Sequence, residues 1–135
     1  MRVFLLISLL MGAAIVFYFS WLPRPNLAIY GVLPDWLSTW TDAQQNQNIR
    51  TAVPLLILGL LSGVWLSITK QVWRNWVLSW LLLLAVVSVA EAGQVLIPLR
   101  HFDWGDIVCG GIGAGTGLSV VGLVRLSRLL EIKGA

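Results

Sequence analysis

Four stretches of roughly 20 residues run almost without charge, and that pattern constrains the fold more than any other feature of the chain. Val3 to Leu22 and Thr51 to Thr69 contain no Asp, Glu, Lys or Arg. Trp76 to Ile97 is broken only by Glu91 and Gln94, and Ile107 to Val124 is uncharged and rich in glycine. A hydrocarbon core about 30 Å thick is crossed by ~20 helical residues rising ~1.5 Å each. Inside lipid the backbone finds no outside partner, so a span must satisfy its own N–H and C=O groups as a helix. The expectation is an all-α fold: an integral membrane bundle of four transmembrane helices near 3–22, 51–69, 76–97 and 107–124, forming a single domain over residues 1–135. Fewer helices would strand an uncharged run in water. Composition agrees, since 11% charged residues cannot cover a water-facing surface that ordinarily needs about 25%.

Pro23-Arg24-Pro25 stops the first helix, and Thr51 with Pro54 reads as an N-cap and a first-turn proline opening the second. The first segment is read as an uncleaved anchor: its apolar run is long for a signal peptide, and Phe17, Tyr18 and Phe19 do not form a small-residue cleavage site. The nine Lys and Arg residues divide six to three. Arg2, Lys70, Arg74, Arg125, Arg128 and Lys133 fall on one side, and Arg24, Arg50 and Arg100 on the other. The positive-inside rule then predicts a multi-pass inner-membrane protein with both termini cytoplasmic. Trp21, Trp36, Trp40 and Trp104 would mark the outer headgroup level, and Trp65, Trp73 and Trp76 the inner one. In the long first outer connection, Leu33/Leu37 and Trp36/Trp40 are spaced for a short interfacial helix, with Gln44 to Asn48 as polar loop.

The net charge of +3 comes from basic residues scattered singly at span ends, so nucleic acid is excluded as a partner and membrane lipids are expected. The single cysteine, Cys109, permits no internal disulfide.

The chemically informative segment runs from Glu91 to Asp106. Glu91 and Gln94, three apart, share a helix face. A lone charge within hydrocarbon costs ~2.5–3.5 kcal/mol on insertion scales, so Glu91 is expected to face the bundle interior, either protonated or paired with Arg100 or Arg50. A structural ion pair that fixes helix packing is the plain alternative. Asp103 sits where an N-cap belongs and Asp106 at the third helical position, both favoured by the helix dipole. With Glu91, Gln94 and Arg100 close in sequence they also compose a polar, outward-facing cluster. His101 could join Glu91, Asp103 and Asp106 around a divalent metal, but no spacing specifies such a site, and neither a metal nor a cofactor is expected. Nor is there a nucleophile–base pair, so an enzyme acting on lipid-linked substrates is the weaker reading. The run Gly110 to Gly117 lacks the lysine and the preceding strand of a phosphate loop. Gly111/Gly115 and Gly113/Gly117 instead suit close helix packing and offer a face for a membrane-protein partner. Arg125, Arg128 and Lys133 are expected to snorkel to the headgroups.

Glu91-x-x-Gln94, Pro98-x-Arg100 and Asp103-x-x-Asp106, followed by a glycine-rich helix, resemble the signature of the VanZ-like membrane proteins, approximately E-x-x-Q, P-x-R, D-x-x-D-x-x-x-N-x-x-G. Arg50 to Gly59 is also similar to the start of the family's second helix in one of its branches. The resemblance spans roughly Pro34 to Gly117. It departs at the asparagine of the fourth helix, where this chain has Gly110 or a neighbour, and at a frequent K-x-x-H, replaced by Gln47-Asn48-Ile49-Arg50. The resemblance implies a four-helix protein of the bacterial inner membrane and a link to glycopeptide (teicoplanin) resistance. Its functional candidates are Glu91, Gln94, Arg100, Asp103 and Asp106. The functional expectation is a cell-envelope protein that binds a lipid or cell-wall precursor headgroup at this cluster, with Arg100 contacting an anion, Arg50 nearby, and Glu91 and Gln94 orienting the arginine. The alternative is a structural or accessory subunit of a larger membrane complex.

Overall fold

The computed structural model describes the backbone of residues 2–134 and the side chains of residues 3–131. The side chains of Arg2 and Lys133, which enter the charge asymmetry, lie outside the described residues. Among the described residues all regular secondary structure is helical, with no strand. In order come α1 (Arg2–Ser20), a 3₁₀ turn (Leu27–Tyr30), α2 (Asp35–Asp42), a second 3₁₀ turn (Gln44–Asn46), α3 (Gln47–Ile68), α4 (Trp73–Gln94) and α5 (Trp104–Gly134). Within these, four segments are long and apolar enough to cross a membrane: Val3–Ser20, Gln44–Ile68, Trp73–Gln94 and Trp104–Glu131.

The four spans match the expectation, but their ends move for physical reasons. α3 begins at Gln47 rather than Thr51, so Thr51 is not its cap and Pro54 lies inside the helix. Gln and Asn are excluded from hydrocarbon, not from helices. α4 begins at Trp73 and ends at Gln94 rather than Ile97. Beyond it the chain tightens into i→i+3 turns, with Val95, Leu96 and Ile97 N–H groups donating to Ala92, Gly93 and Gln94 carbonyls. α5 begins at Trp104 rather than Ile107 and continues past Val124, because Arg125 and Arg128 end the apolar run without ending the helix. α2 covers Asp35–Asp42 where a short helix was expected around Leu33–Trp40.

α3 and α5 form the spine of the bundle, and glycine lets their backbones nearly touch. A Cβ at Gly59 would collide with the Ala114 carbonyl; one at Gly113 or Gly117 would collide with the Ala52 or Leu56 carbonyl. Gly111 and Gly115 face α4: a Cβ at Gly111 would meet Leu84 Cδ1 at 2.9 Å and one at Gly115 would meet Trp80 Nε1 at 3.2 Å. Within the chain the stripe packs against α3 and α4. Around this spine Leu55, Leu58, Leu66, Leu83, Val87 and Leu118 make the core. Phe4, Leu10, Leu82 and Ile112 lie on the outside at 63–71% exposure, an arrangement suited to lipid as solvent.

Trp76 is buried at 6% exposure and packs into the core. Arg125 does not simply snorkel: Nη1 donates to the Gln71 carbonyl at 2.8 Å, and its guanidinium lies 5.4 Å and 5.7 Å from the Trp73 and Trp76 ring centroids. It thereby fastens the α3–α4 turn to α5. That turn is a Schellman motif. Gln71 N–H donates to Leu66 C=O and Lys70 N–H to Ser67 C=O, with Lys70 in the left-handed region at φ 54°. A non-glycine residue there costs roughly 1–2 kcal/mol. Lys70→Gly is expected to raise stability by about 1 kcal/mol, read as a higher melting temperature in detergent; an unchanged or lower value would contradict this turn geometry.

Candidate functional site

The connection between α4 and α5 returns over the end of α1, which brings three elements together at one end of the bundle. Glu91 and Gln94, on the last turn of α4, are buried at 2% and 6% exposure. Gln94 Nε2 donates to Glu91 Oε1 at 2.6 Å and to Ser20 Oγ at 2.9 Å. The Asp103 backbone N–H donates to Glu91 Oε2 at 3.2 Å. Glu91 thus faces inward, as a carboxylate in a span must, but its hydrogen-bond donors are an amide side chain and a backbone N–H rather than a guanidinium. The expected direct pairing with Arg100 or Arg50 is not formed.

Both arginines are held by backbone carbonyls. Arg100, 8% exposed, donates through Nη2 to the carbonyls of Ser20 (2.7 Å) and Phe19 (3.1 Å). These are terminal acceptors of α1 that have no partner within the helix, and a cation suits the negative end of its dipole. So Arg100 is oriented by α1, not by Glu91 and Gln94. Its Nε is buried and has no hydrogen-bond partner among the described residues. Burial pushes the Arg100 guanidinium below its ordinary pKa, and the positive charge of Arg50 pushes the same way, against Glu91 and Asp106. Arg50, half-buried on the first turn of α3, donates through Nη1 to Pro25 C=O at 3.1 Å and Thr41 C=O at 3.5 Å. It ties the long first connection down onto the bundle.

The α5 start supplies the remaining acids. Asp103 immediately precedes the helix, and its Oδ1 accepts the Gly105 N–H at 2.7 Å, the role of an N-cap. Its side chain is exposed. Asp106 is half-buried and lines one cavity together with Glu91 and Thr51. Asn48, with its amide turned so that both ends are satisfied, donates to Asp106 Oδ1 at 3.1 Å and Asp103 Oδ2 at 3.2 Å. Asn48, Thr51 and Ser20 are site residues that sequence reasoning missed. The only signal was Asn48 and Thr51 three apart at the start of α3, which reads equally well as polar loop. His101 is exposed on the connection, and among the described residues no three His, Cys, Asp or Glu side chains are placed to hold a metal ion.

These side chains close one end of a cavity of about 270 Å³. Arg50, Thr51, Glu91, Gln94, Arg100 and Asp106 form its polar part. Val16 and Phe19 of α1, Leu37 and Trp40 of α2, Leu55 of α3 and Val87 of α4 form apolar walls. The first connection covers it, held shape by Asp42, whose Oδ1 and Oδ2 accept the Leu27 and Ala28 N–H groups at 2.7 and 3.0 Å. Of the six residues singled out from sequence, Glu91, Gln94, Arg100, Asp106 and Arg50 line this cavity. Asp103 does not, and acts on it through its backbone N–H. A chamber with charge at one end and hydrocarbon along its sides fits an amphiphile.

Comparison with protein-family models, with curated proteins and with solved structures returns no match.

Proposed function

We propose that this chain is a cell-envelope protein of the inner membrane that binds the polar end of an amphiphile, a lipid or a lipid-linked cell-wall precursor, in the cavity between α1, α2, α3 and α4. The observation that carries this reading is Arg100: a guanidinium buried to 8% exposure, aligned by two carbonyls, with Nε left unpartnered on a residue that lines the cavity. Buried donors are nearly always satisfied in folded proteins, and a guanidinium is the side chain best suited to phosphate or carboxylate. The resemblance of Glu91-x-x-Gln94, Pro98-x-Arg100 and Asp103-x-x-Asp106 to VanZ-like proteins supports an envelope role, including one in glycopeptide resistance, and the lysine and arginine distribution supports cytoplasmic termini with the cavity opening to the outer leaflet. α2, with its exposed Trp36, would then lie in the outer interface. A subunit role would need a surface other than the glycine stripe of α5, which α3 and α4 already occupy.

The test is purification from native membranes with identification of bound lipid, paired with labelling of introduced cysteines in a Cys109→Ser background. Wild type is expected to carry lipid that Arg100→Gln loses, while Gln44→Cys reacts with an impermeant maleimide in intact cells and Ser127→Cys does not. Equal lipid content in the two proteins, or the opposite labelling pattern, would reject the reading.

A further inference from the structure

The cavity holds two cations and two acids, and its hydrogen bonds keep the signs apart. Both guanidinium groups donate to carbonyls of α1 and of the first connection. Both carboxyls receive neutral donors: Glu91 from Gln94 and the Asp103 N–H, Asp106 from Asn48. Among the described residues, no guanidinium donates to either carboxyl. Glu91 and Asp106 nevertheless line the same chamber, and two bare carboxylates so placed repel. Their shared position calls for a hydrogen-bonding cation or a proton. At the other pole the Arg100 Nε is a buried donor without an acceptor. An anion alone would satisfy Arg100 and leave the carboxyl pair unmatched; a cation alone would do the reverse. Charge placed in a low-dielectric chamber is tolerated only when it is paired.

We infer that the ligand is a zwitterionic amphiphile bearing a primary ammonium group and a phosphate, with the ammonium bridging Glu91 and Asp106 and the phosphate accepting from Arg100. The inference rests on the amphiphile-binding reading of the same cavity and narrows its chemistry. An N–H-bearing ammonium can donate to both carboxyls at once, whereas a trimethylated one offers no donor. The apolar walls from Val16, Phe19, Leu37 and Leu55 receive the first part of an acyl chain.

The experiment uses the full chain in detergent, equilibrated with phosphatidylethanolamine, phosphatidylglycerol or phosphatidylcholine of identical acyl chains, with retained lipid counted by native mass spectrometry. Phosphatidylethanolamine is expected to bind about tenfold tighter than the other two. Glu91→Gln and, independently, Asp106→Asn are expected to erase that preference while phosphatidylglycerol binding persists. Arg100→Gln is expected to weaken all three lipids. Phosphatidylglycerol or phosphatidylcholine binding as tightly as phosphatidylethanolamine to the wild-type protein would overturn the zwitterion and leave the amphiphile site standing. Retention of all three lipids unchanged in Arg100→Gln, or of none by the wild-type protein, would overturn both. The wild-type comparison needs no variant to fold.

Discussion

Gly117→Leu is expected to dismantle the bundle. A Cβ at Gly117 would collide with the Leu56 carbonyl and lie 2.7 Å from the Leu60 amide nitrogen, both backbone atoms of α3. No rotamer change relieves a clash with backbone, so α5 must move away from α3. That movement also opens the Gly113–Ala52 and Gly59–Ala114 contacts along the same line. In lipid there is little hydrophobic drive to hold helices together once close packing is lost, because acyl chains solvate the separated faces as well as a neighbouring helix does. Overpacking commonly costs 1–3 kcal/mol and more when the backbone must shift, so a loss above about 3 kcal/mol is expected. Gly122→Ala is the control on the same helix. Its Cβ would meet the Trp73 and Trp76 rings at 3.4–3.6 Å, an ordinary van der Waals distance, and the change should stay within about 1 kcal/mol. Thermal denaturation in detergent compares the two. If Gly117→Leu melts with the wild type, the backbone approach of α3 and α5 is wrong, and with it the scaffold that sets Thr51 beside Asp106.

What could be read without coordinates follows from which physical signals are local. The four spans were legible because hydrocarbon excludes charge, and a run such as 51–69 has no alternative home. Helix ends were less so. Gln47 and Asn48 look like loop because such side chains avoid lipid, yet they open α3, and Arg125 ends the apolar run without interrupting α5. In the candidate site, Glu91, Gln94 and Arg100 stood out as polar groups among apolar neighbours, and the Glu91–Gln94 hydrogen bond follows from their spacing of three. The partners of Arg100 did not stand out. They are main-chain carbonyls of α1, some eighty positions earlier in the chain, and every residue carries such a group. Asn48 and Thr51 escaped for the opposite reason: common polar residues at a helix start acquire meaning only when Asp106 is seen opposite them. Pairing Glu91 with an arginine was the natural inference from charge alone, but terminal carbonyls of a helix compete for a guanidinium as effectively as a carboxylate does when they are closer.

Arg100→Ala is expected to be the most damaging change at the candidate site, because this side chain does two jobs. It fastens α1, whose spanning stretch presents Val3, Phe4, Leu10 and Met11 outward and relies on its C-terminal end for polar attachment to the rest of the chain. That attachment consists of the two Arg100 hydrogen bonds, the Gln94–Ser20 bond and the Trp21 Nε1 donation to Ala90 C=O at 3.1 Å. Arg100 is also one of the two cations that offset Glu91 and Asp106 in the chamber. Truncation strips two carbonyls of their donor, at roughly 1–3 kcal/mol for each buried group left unsatisfied, and removes a nearby positive charge that offsets the acids without being bonded to them. The two effects overlap, so a total near 4 kcal/mol is expected. They can be separated. Arg100→Lys keeps the charge on a flexible stem that lacks the planar fork, so it should restore the electrostatic part more than the clamp on α1. Glu91→Gln in the Arg100→Ala background removes one of the uncompensated acids while keeping an acceptor for Gln94, and should return about 1 kcal/mol relative to additivity. Melting temperatures give the totals, and hydrogen exchange at the Phe19 to Leu22 amides reports the clamp. Wild-type melting in Arg100→Ala, or strict additivity with Glu91→Gln, would mean that the guanidinium neither holds α1 nor answers the acids, and the chamber would lose its positive pole.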